Sequence, residues 1–215
     1  MRRSGPRLRL GPSDEAVLVS GAARLGVALD RDAVGAFQRY AELLETWSAR
    51  MNLIACASAA NLVERHLLDA LALVPILGPA RRVVDLGSGA GLPGVPLAIA
   101  MPEVEVLLVE SRRRRASFLR EVRRTLGLRR LEVREGRAED AKPATLCDAV
   151  VCRAVWSDGV ALDIAAAWLE PGGRFLWMRR GAASGAEHPA LAGEGRVEYG
   201  TGGGPRGAVE IYRRV

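Results

Sequence analysis

The sequence predicts an α/β protein with a mostly parallel, doubly wound sheet and a small N-terminal helical extension. From residue 82 onward, short apolar runs rich in β-branched residues alternate with segments of helical periodicity, as in strands joined by crossover helices. A glycine-rich loop, Gly87 to Gly94, separates the first of these strands from the first of these helices. With 215 residues and 49% hydrophobic content, the chain can bury one sizeable core.

The first 80 residues are predicted to form a tail and a helical extension. Residues 1–13 are basic and contain two glycines and two prolines, which predicts a disordered tail. Residues 14–80 are predicted to be helical, with Asp32 as the N-cap of one helix and a second helix over Ala59–Leu77. The first of these helices has a stripe of apolar positions, interpreted as core rather than as a base-stacking surface: Val34, Phe37, Tyr40, Leu43, Leu44 and Trp47.

Residues 81–215 are predicted to form the sheet and its covering helices, within one structural domain. The predicted strands are Arg82–Leu86, Val104–Glu110, Leu131–Glu135, Asp148–Arg153 and Arg174–Arg179, with two short strands at Arg196–Tyr199 and Ala208–Arg213. The predicted helices are Pro93–Met101, Arg112–Leu126 and Asp158–Leu169. The turns between them carry glycine and proline, as at Gly127 and in the segment 170–173.

The apolar runs and the cysteines indicate a cytoplasmic protein. The longest apolar run, Leu67 to Leu77, is interrupted by Asp69 and Pro75 and is too short to span a bilayer, and no signal peptide is visible. Three cysteines without a C-x-x-C pair predict reduced, structural thiols. Cys147 and Cys152, five apart on a strand, are expected on opposite faces, so we expect no metal site there.

The charge of the chain predicts a polyanionic partner. The net charge is +6 and the isoelectric point is near 10. The segment 112–137 holds eleven arginines against three glutamates. This local excess places a basic surface directly after the second predicted strand, on the predicted helix Arg112–Leu126.

The strand ends carry the candidate binding residues, because ligands of open α/β sheets bind at the carboxyl ends of the strands. Gly87 and Gly89 begin a loop with glycine at every second position, a spacing found neither in the dinucleotide fingerprint nor in the phosphate loop. The loop predicts a nucleotide-like cofactor, with a tight unliganded turn as the alternative. Glu110 ends the second strand, where an acid can accept hydrogen bonds from both ribose hydroxyls; a solvated strand-end acid is the alternative.

The third and fourth strand ends add further candidates. Ala138 and Glu139 follow the third strand in a loop placed to contact an adenine edge. Arg153 and Trp156 follow the fourth strand and bring a guanidinium and an indole to the mouth of the site. A surface charge and a lid over the core are the alternatives for these two residues.

Together, the glycine loop and the acids and basic motif after the later strands resemble a class I S-adenosylmethionine-dependent methyltransferase. Longer segments look like the RsmG family, the 16S rRNA guanine-N7 methyltransferases once called glucose-inhibited division protein B. The similarity covers residues 30 to 180. The segments that carry it are Val63–Ala72, Asp85–Leu97, Arg114–Val122, Gly136–Glu139 and Cys152–Ala154. Leu92–Leu97 and the His66–Asp69 helix are more specific than the glycines alone.

The resemblance implies a Rossmann-like fold with S-adenosyl-L-methionine as cofactor and no metal. It implies cofactor contacts from five positions, Gly87, Leu92, Ala138, Glu139 and Arg153. It also implies that the partner is 16S rRNA or the small ribosomal subunit, with a guanine of the decoding region as target, and we expect a monomer. The chain departs from the family pattern at three positions. Cys152 stands where the family has serine, Trp156 stands where it has a small residue, and Arg179 stands near the position where it has a lysine.

The chemistry of guanine N7 predicts no catalytic side chain. N7 carries an in-plane lone pair at neutral pH, so methyl transfer needs orientation of the reactants rather than removal of a proton. Arg112, Arg113, Arg123 and Arg124 are predicted to contact RNA phosphates, with a solvated helix face as the alternative, and Trp156 is the candidate stacking surface.

Three other functions stay open at this point. One is a class I methyltransferase that acts on a protein or small molecule. Another is a non-catalytic rRNA-binding assembly factor of the same fold. A nicotinamide oxidoreductase is disfavoured by the glycine spacing and by the lack of an obvious Tyr-Lys or His-Asp pair for hydride transfer.

Overall fold

The computed structural model describes residues 7–140, 143–153, 156–179, 181, 183–200 and 207–215. Its strands are β1 (Arg82–Leu86), β2 (Glu105–Glu110), β3 (Leu131–Glu135), β4 (Cys147–Arg153), β5 (Leu169–Arg179), β6 (Leu191–Tyr199) and β7 (Gly207–Arg214). Its helices are α1 (Pro12–Arg24), α2 (Arg31–Ser48), α3 (Ala59–Leu62), α4 (Leu68–Leu71), α5 (Val74–Leu77), α6 (Gly94–Ala100), α7 (Arg113–Leu126) and α8 (Asp158–Trp168). A π-helical turn, Val63–Leu67, joins α3 to α4. None of the described helices is long and apolar enough to span a membrane.

The strands form one sheet in the order β3-β2-β1-β4-β5-β7-β6. β1 pairs in parallel with β2 and β4, β2 with β3, and β4 with β5. β7 runs antiparallel between β5 and β6. After β3 the chain returns to the other side of β1, so the strand order reverses between β1 and β4, where open α/β sheets bind their ligands. The predicted fold, a mostly parallel doubly wound sheet, is confirmed.

Two apolar clusters cover the two faces of the sheet. One contains Phe37 of α2, Leu68 of α4, Leu97 of α6 and Phe118 of α7, together with inward-facing residues of the strands. The other is built around α8 and includes Trp168. The N-terminal helices therefore share a core with α6 and α7, which covers one face of the strands that build the candidate site.

The aromatic stripe of α2 is core, as predicted. Phe37 and Tyr40 are fully buried, and the ring of Trp47 meets that of Phe118 edge-on at 5.6 Å between centroids. The predicted N-cap is wrong: the Asp30 carboxylate, not that of Asp32, accepts a hydrogen bond from the Ala33 N–H at 2.7 Å. Either acid fits the cap pattern, and the fold uses the first.

The disorder predicted for residues 1–13 is wrong for the part that the structure describes, residues 7–13. Leu8 is fully buried, and its N–H donates to the Glu45 carboxylate of α2 at 2.6 Å. Pro12 begins α1, at a position where proline costs a helix no hydrogen bond. Glycine and proline in this segment therefore mark a helix start and not a flexible tail. Residues 1–6 lie outside the described residues.

The helix predicted over Ala59–Leu77 is divided. The π-turn interrupts it at Val63–Leu67, and the chain leaves the helix after Leu71 before α5 begins. Pro75 lies in the first turn of α5, where its missing N–H is tolerated, whereas it would break the interior of a longer helix.

The expectation that Cys147 and Cys152 point to opposite faces is also wrong. Both side chains are buried in the cluster around α8. The register of β4 shifts between Cys147 and Ala149, and this bulge offsets the alternation of side chains by one residue. Burial raises the pKa of the Cys147 thiol to about 12, which fits the structural role predicted for it.

Candidate active site

The loop between β1 and α6 depends on glycine at three positions. Gly87, Gly89 and Gly91 have φ values of 71°, 58° and 90°, a conformation that other residues rarely adopt. A Cβ on Gly91 would also lie 2.6 Å from Cγ2 of Val95 and 3.0 Å from Cδ2 of Leu119. The loop therefore turns sharply and packs its main chain against α6 and α7.

Asp85, at the end of β1, closes this loop from within. Its carboxylate is fully buried, and Oδ2 accepts a hydrogen bond from the Gly94 N–H at 2.9 Å. A Cβ on Gly94 would lie 2.7 Å from that oxygen, so only glycine permits the approach. Burial raises the pKa of Asp85 to about 7, although the hydrogen bond from Gly94 opposes the rise. Among the described residues, Oδ1 of Asp85 has no hydrogen-bond partner.

Helix α2 holds the same loop from outside. The buried Tyr40 hydroxyl donates to the Ala90 carbonyl at 2.6 Å. Sequence reasoning assigned Tyr40 to the core only. The signal that could have indicated this contact is general, since a buried tyrosine needs a partner for its hydroxyl, but the partner is 50 residues away.

A cleft of about 690 Å³ opens at the carboxyl ends of β1, β2 and β3. Its size is within the range of small-molecule sites. The cleft is lined by Gly87, Val109, Glu110, Ser111, Arg112, Arg115, Gly136, Arg137, Ala138, Glu139 and Trp156. The structure thus brings together most of the candidate cofactor residues, with Arg112 and Trp156 from the candidate RNA-binding set.

Glu110 connects the glycine loop to the start of α7. Its Oε2 accepts from the Gly89 N–H at 2.8 Å and its Oε1 from the Arg112 N–H at 2.7 Å. The residue is buried, which removes the alternative of a solvated strand-end acid. Each carboxylate oxygen has a further lone pair, so the group can accept additional hydrogen bonds from a ligand in the cleft.

Trp156 and Glu139 meet across the mouth of the cleft. The indole N–H of Trp156 donates to Oε1 of Glu139 at 2.7 Å. Trp156 is half-buried against the cluster around α8, so it covers part of the core and also lines the cleft. Next to Glu139, Ala138 is buried, and its carbonyl accepts from the indole N–H of Trp168 at 3.3 Å.

Arg153 and Leu92 do not line this cleft. Leu92 is buried in the core shared with the N-terminal helices. Arg153 turns toward the π-turn, where His66 and Asp69 lie within reach of its guanidinium. The alternative that Arg153 is a plain surface charge is therefore wrong. The sequence pointed to the segment from His66 to Asp69 as specific to the family but did not indicate a partner for either side chain.

Comparison with known proteins identifies the family. Residues 34–194 match the family GidB, described as rRNA small subunit methyltransferase G. The chain belongs to this family. It is 40% identical over 170 residues to the ribosomal RNA small subunit methyltransferase G of Stenotrophomonas maltophilia strain K279a, a match that covers 79% of each chain. The resemblance predicted from the sequence is confirmed.

Solved structures agree with the fold of this methyltransferase G family member. TrmN from Thermus thermophilus superposes with a TM-score of 0.55 at 22% identity, over 69% of this chain and 49% of TrmN. The chain thus spans about half the length of TrmN. An O-methyltransferase candidate from Klebsiella pneumoniae superposes with a TM-score of 0.51 at 18% identity, over 97% of this chain and 93% of that one. At such identities the likeness is one of fold.

Of the three departures from the methyltransferase G pattern, two lie away from the cleft and one lines it. Cys152 is buried and faces the apolar cluster rather than the cleft. Arg179 ends β5 and pairs with Asp158 of α8 at 2.6 Å, with its guanidinium 4.3 Å above the Trp177 ring. Trp156, the third departure, is the one that lines the cleft.

Most arginines of α7 face outward from the methyltransferase core. Phe118, Leu119 and Val122 are buried, while Arg112, Arg113 and Arg114 are exposed at the helix start. Arg123 and Arg124 are exposed near the helix end, where Arg124 pairs with Glu121 at 2.7 Å. Among the described residues, no cluster of histidine, cysteine and acidic side chains could hold a metal ion.

Proposed function

We propose that the chain transfers a methyl group from S-adenosyl-L-methionine to N7 of a guanine in 16S rRNA. The observation that carries the proposal is the cleft at the carboxyl ends of β1, β2 and β3, where the glycine loop meets Glu110. The family to which the chain belongs, rRNA small subunit methyltransferase G, supports the class of substrate. The guanine, its N7 atom and its place in the decoding region rest on the resemblance.

The cleft fits this cofactor by the chemistry of its lining. Gly87 lets a ligand approach the main chain, because no Cβ lies in the way. Glu110 offers free lone pairs for ribose hydroxyls, and Ala138 and Glu139 line the same cleft, which supports their proposed contact with an adenine edge. When bound, the cofactor supplies a methyl group on an electrophilic sulfonium. Gly89, Leu92 and Arg153 complete the proposed set of cofactor-contacting residues.

The protein's own contribution to the reaction is orientation. Because guanine N7 carries a lone pair, no side chain has to remove a proton, and the proposal includes no general base. Holding two reactants in line can supply roughly 7–11 kcal/mol of the barrier.

The start of α7 supports a polyanionic substrate. Arg112 is its N-cap, Arg113–Arg115 follow, and its first turn has no acidic residue. Positive charge at a helix N-terminus opposes the helix dipole, at a cost of about 0.3–1 kcal/mol for each charge. Phosphates bound at the helix start would offset this repulsion, because their negative charge is attracted both to the arginines and to the positive end of the helix dipole. We therefore include Arg112, Arg113, Arg123 and Arg124 in the RNA-binding surface, with Trp156 as a stacking platform at its border with the cleft.

The direct test is deletion of the gene, followed by chemical cleavage of the rRNA at 7-methylguanosine. We expect one cleavage site in the small-subunit rRNA to disappear and to return when the purified protein and cofactor are added to the subunit. Persistence of the modification in the deletion strain would contradict the proposed substrate. Calorimetric titration of the purified protein with S-adenosylmethionine separates an enzyme from a binding factor, since a factor that has lost the cofactor site would release no heat.

A further inference from the structure

A polar cluster joins the end of β4 to the N-terminal helices. The guanidinium of Arg153 contacts three groups there. Its Nη1 lies 3.1 Å from Nδ1 of His66, and its Nη2 donates to the Arg65 carbonyl at 3.1 Å and lies 3.4 Å from Oδ2 of Asp69. These partners are 84 to 88 residues away from Arg153 along the chain.

The π-turn shapes the N-terminal half of this cluster. The Leu68 N–H bonds to the Val63 carbonyl, five residues back, so the helix is locally widened. Within this turn the Arg65 carbonyl takes its hydrogen bond from a side chain of another element. The turn carries His66 as well, while Asp69 follows one turn later with a side chain that is only 6% exposed. A carboxylate buried to this degree needs a cation or hydrogen-bond donors, and Arg153 is one such group.

The sheet register places Arg153 beside the glycine loop. Leu86 of β1 pairs with Cys152 of β4, so the next residues on the two strands are Gly87 and Arg153. The charge of Arg153 also acts on Tyr40: burial and Asp85 raise the pKa of its hydroxyl, and Arg153 opposes them. That hydroxyl bonds to Ala90 within the loop. Whatever fixes the guanidinium of Arg153 therefore acts on the border of the cofactor site.

We infer that His66 is a positioning residue, whose Nδ1 accepts a hydrogen bond from Arg153 and holds the guanidinium at the carboxyl end of β4. The inference rests on the proposed function, in which Arg153 contacts the cofactor. A guanidinium has donors only, so His66 must be neutral, with its proton on Nε2. Through His66, the N-terminal helices take part in cofactor binding and do not only cover the sheet.

A double-mutant cycle tests whether His66 acts through Arg153. Cofactor affinity is measured by calorimetry for the wild type, His66→Leu, Arg153→Ala and the double variant. Loss of a hydrogen bond to a charged group predicts a decrease of about tenfold for His66→Leu. The double variant should bind no more weakly than Arg153→Ala alone, because the position of an absent guanidinium no longer matters.

Two further variants separate positioning from folding. His66→Asn keeps an acceptor near the place of Nδ1 and should restore affinity to within about threefold of the wild type. His188→Leu makes the same change at the other histidine of the chain, which bonds to Asp163 and to the Ala190 N–H. It should leave cofactor affinity unchanged. Melting temperatures of the cofactor-free variants show whether a loss of affinity follows only from a loss of stability.

The state of His66 can be read without any cofactor. Nitrogen-detected NMR of the cofactor-free protein should show His66 with its proton on Nε2, and the His188→Leu spectrum assigns the signals because the chain has two histidines. A proton on Nδ1 would overturn the inference. So would additive losses in the cycle, an unchanged affinity of His66→Leu, or an unchanged affinity of Arg153→Ala. A wild type that binds no cofactor would instead remove the proposed function, and the inference with it.

Discussion

The proposed cofactor cleft and the arginine face of α7 adjoin, but they are built in different ways. The cleft is shaped by main chain and buried acids: Gly87 lines it, and Glu110 is buried between two N–H groups. The arginine face consists of long exposed side chains, among them Arg113 and Arg123. Arg112 belongs to both, since its N–H bonds to Glu110 and its side chain is exposed at the helix start.

This difference predicts two kinds of response to mutation. A close-packed loop cannot absorb an added methyl group or an unwanted charge, so single changes there should cost several kcal/mol. Exposed cations act on a polyanion through a screened field, so each should contribute little and in proportion to its charge. We therefore expect shape to determine cofactor binding and charge to determine RNA binding.

The largest effect is expected at Asp85, as a dependence of stability on pH. The pKa of its carboxyl is raised from 3.8 to about 7 in the folded chain. Between about pH 4 and pH 7 the folded chain holds a proton on Asp85 that the unfolded chain has lost. This proton stabilises the folded chain, and the stabilisation is complete below about pH 4 and is lost as the pH rises through 7. A shift of this size corresponds to at most about 4 kcal/mol.

Asp85→Asn should remove this dependence while keeping an acceptor for the Gly94 N–H. Urea unfolding of both proteins at several pH values between 4 and 8 gives the difference in the free energy of unfolding. As the pH rises, the free energy of unfolding of Asp85→Asn should increase relative to that of the wild type. A constant cost of the amide would not change this trend. Parallel curves for the two proteins would show that Asp85 does not titrate in this window.

The next largest effect is expected at Gly91. Alanine there would be strained at φ 90° and would meet Val95 and Leu119, so strain and overpacking together should lower the free energy of unfolding by about 3 kcal/mol. Gly127 is the matched control, because its φ is 68° but no atom lies within 4 Å of an added Cβ. Gly127→Ala should cost about 1 kcal/mol and leave cofactor affinity unchanged.

Urea unfolding and calorimetric titration of the two glycine variants give both quantities. Gly91→Ala should lose cofactor affinity as well as stability, since the loop that it distorts begins the cleft. Equal losses in the two variants would mean that backbone strain alone, and not the packing of the loop, sets the cost.

The residues that line the cleft were easier to predict from the sequence than the long-range contacts that hold the glycine loop and Arg153 in place, for a physical reason. Chain order and the strand-end rule place Gly87, Glu110 and Glu139 at neighbouring strand ends, because parallel strands bring their carboxyl ends to one edge. The contacts of Tyr40 with Ala90 and of Arg153 with His66 join segments 50 and 87 residues apart. Such contacts depend on how helices pack on the sheet, and no local pattern encodes that packing.

Two of the wrong predictions have the same origin. Glycine and proline in residues 7–13 indicated flexibility by composition, whereas burial of Leu8 and the Glu45 carboxylate decide the structure there. The strand alternation that separated Cys147 from Cys152 assumed a regular β4, and the bulge removed that regularity. Composition and periodicity describe regular elements, and both failures lie where tertiary contacts interrupt them.

The smallest effects are expected on the arginine face, and they distinguish its two ends. Arg113 has no ion pair among the described residues and lies at the helix start, while Arg124 is paired with Glu121, whose carboxyl pKa the hydrogen bond from Arg124 lowers. Arg113→Ala should weaken binding to small-subunit rRNA by about 1 kcal/mol and reduce the slope of log affinity against log salt by roughly 0.7–0.9. Arg124→Ala should do less, because its charge is already partly neutralised.

Filter binding at several salt concentrations measures both slopes, and calorimetry should show that cofactor affinity is unchanged in both variants. If Arg124→Ala has the larger effect, RNA approaches the end of α7 rather than its start, and the cleft and the RNA surface are not continuous through Arg112. If neither variant changes the salt dependence, the repulsion between the arginines and the helix dipole needs another explanation than bound phosphate. The charge of this face would then have no part in choosing the substrate.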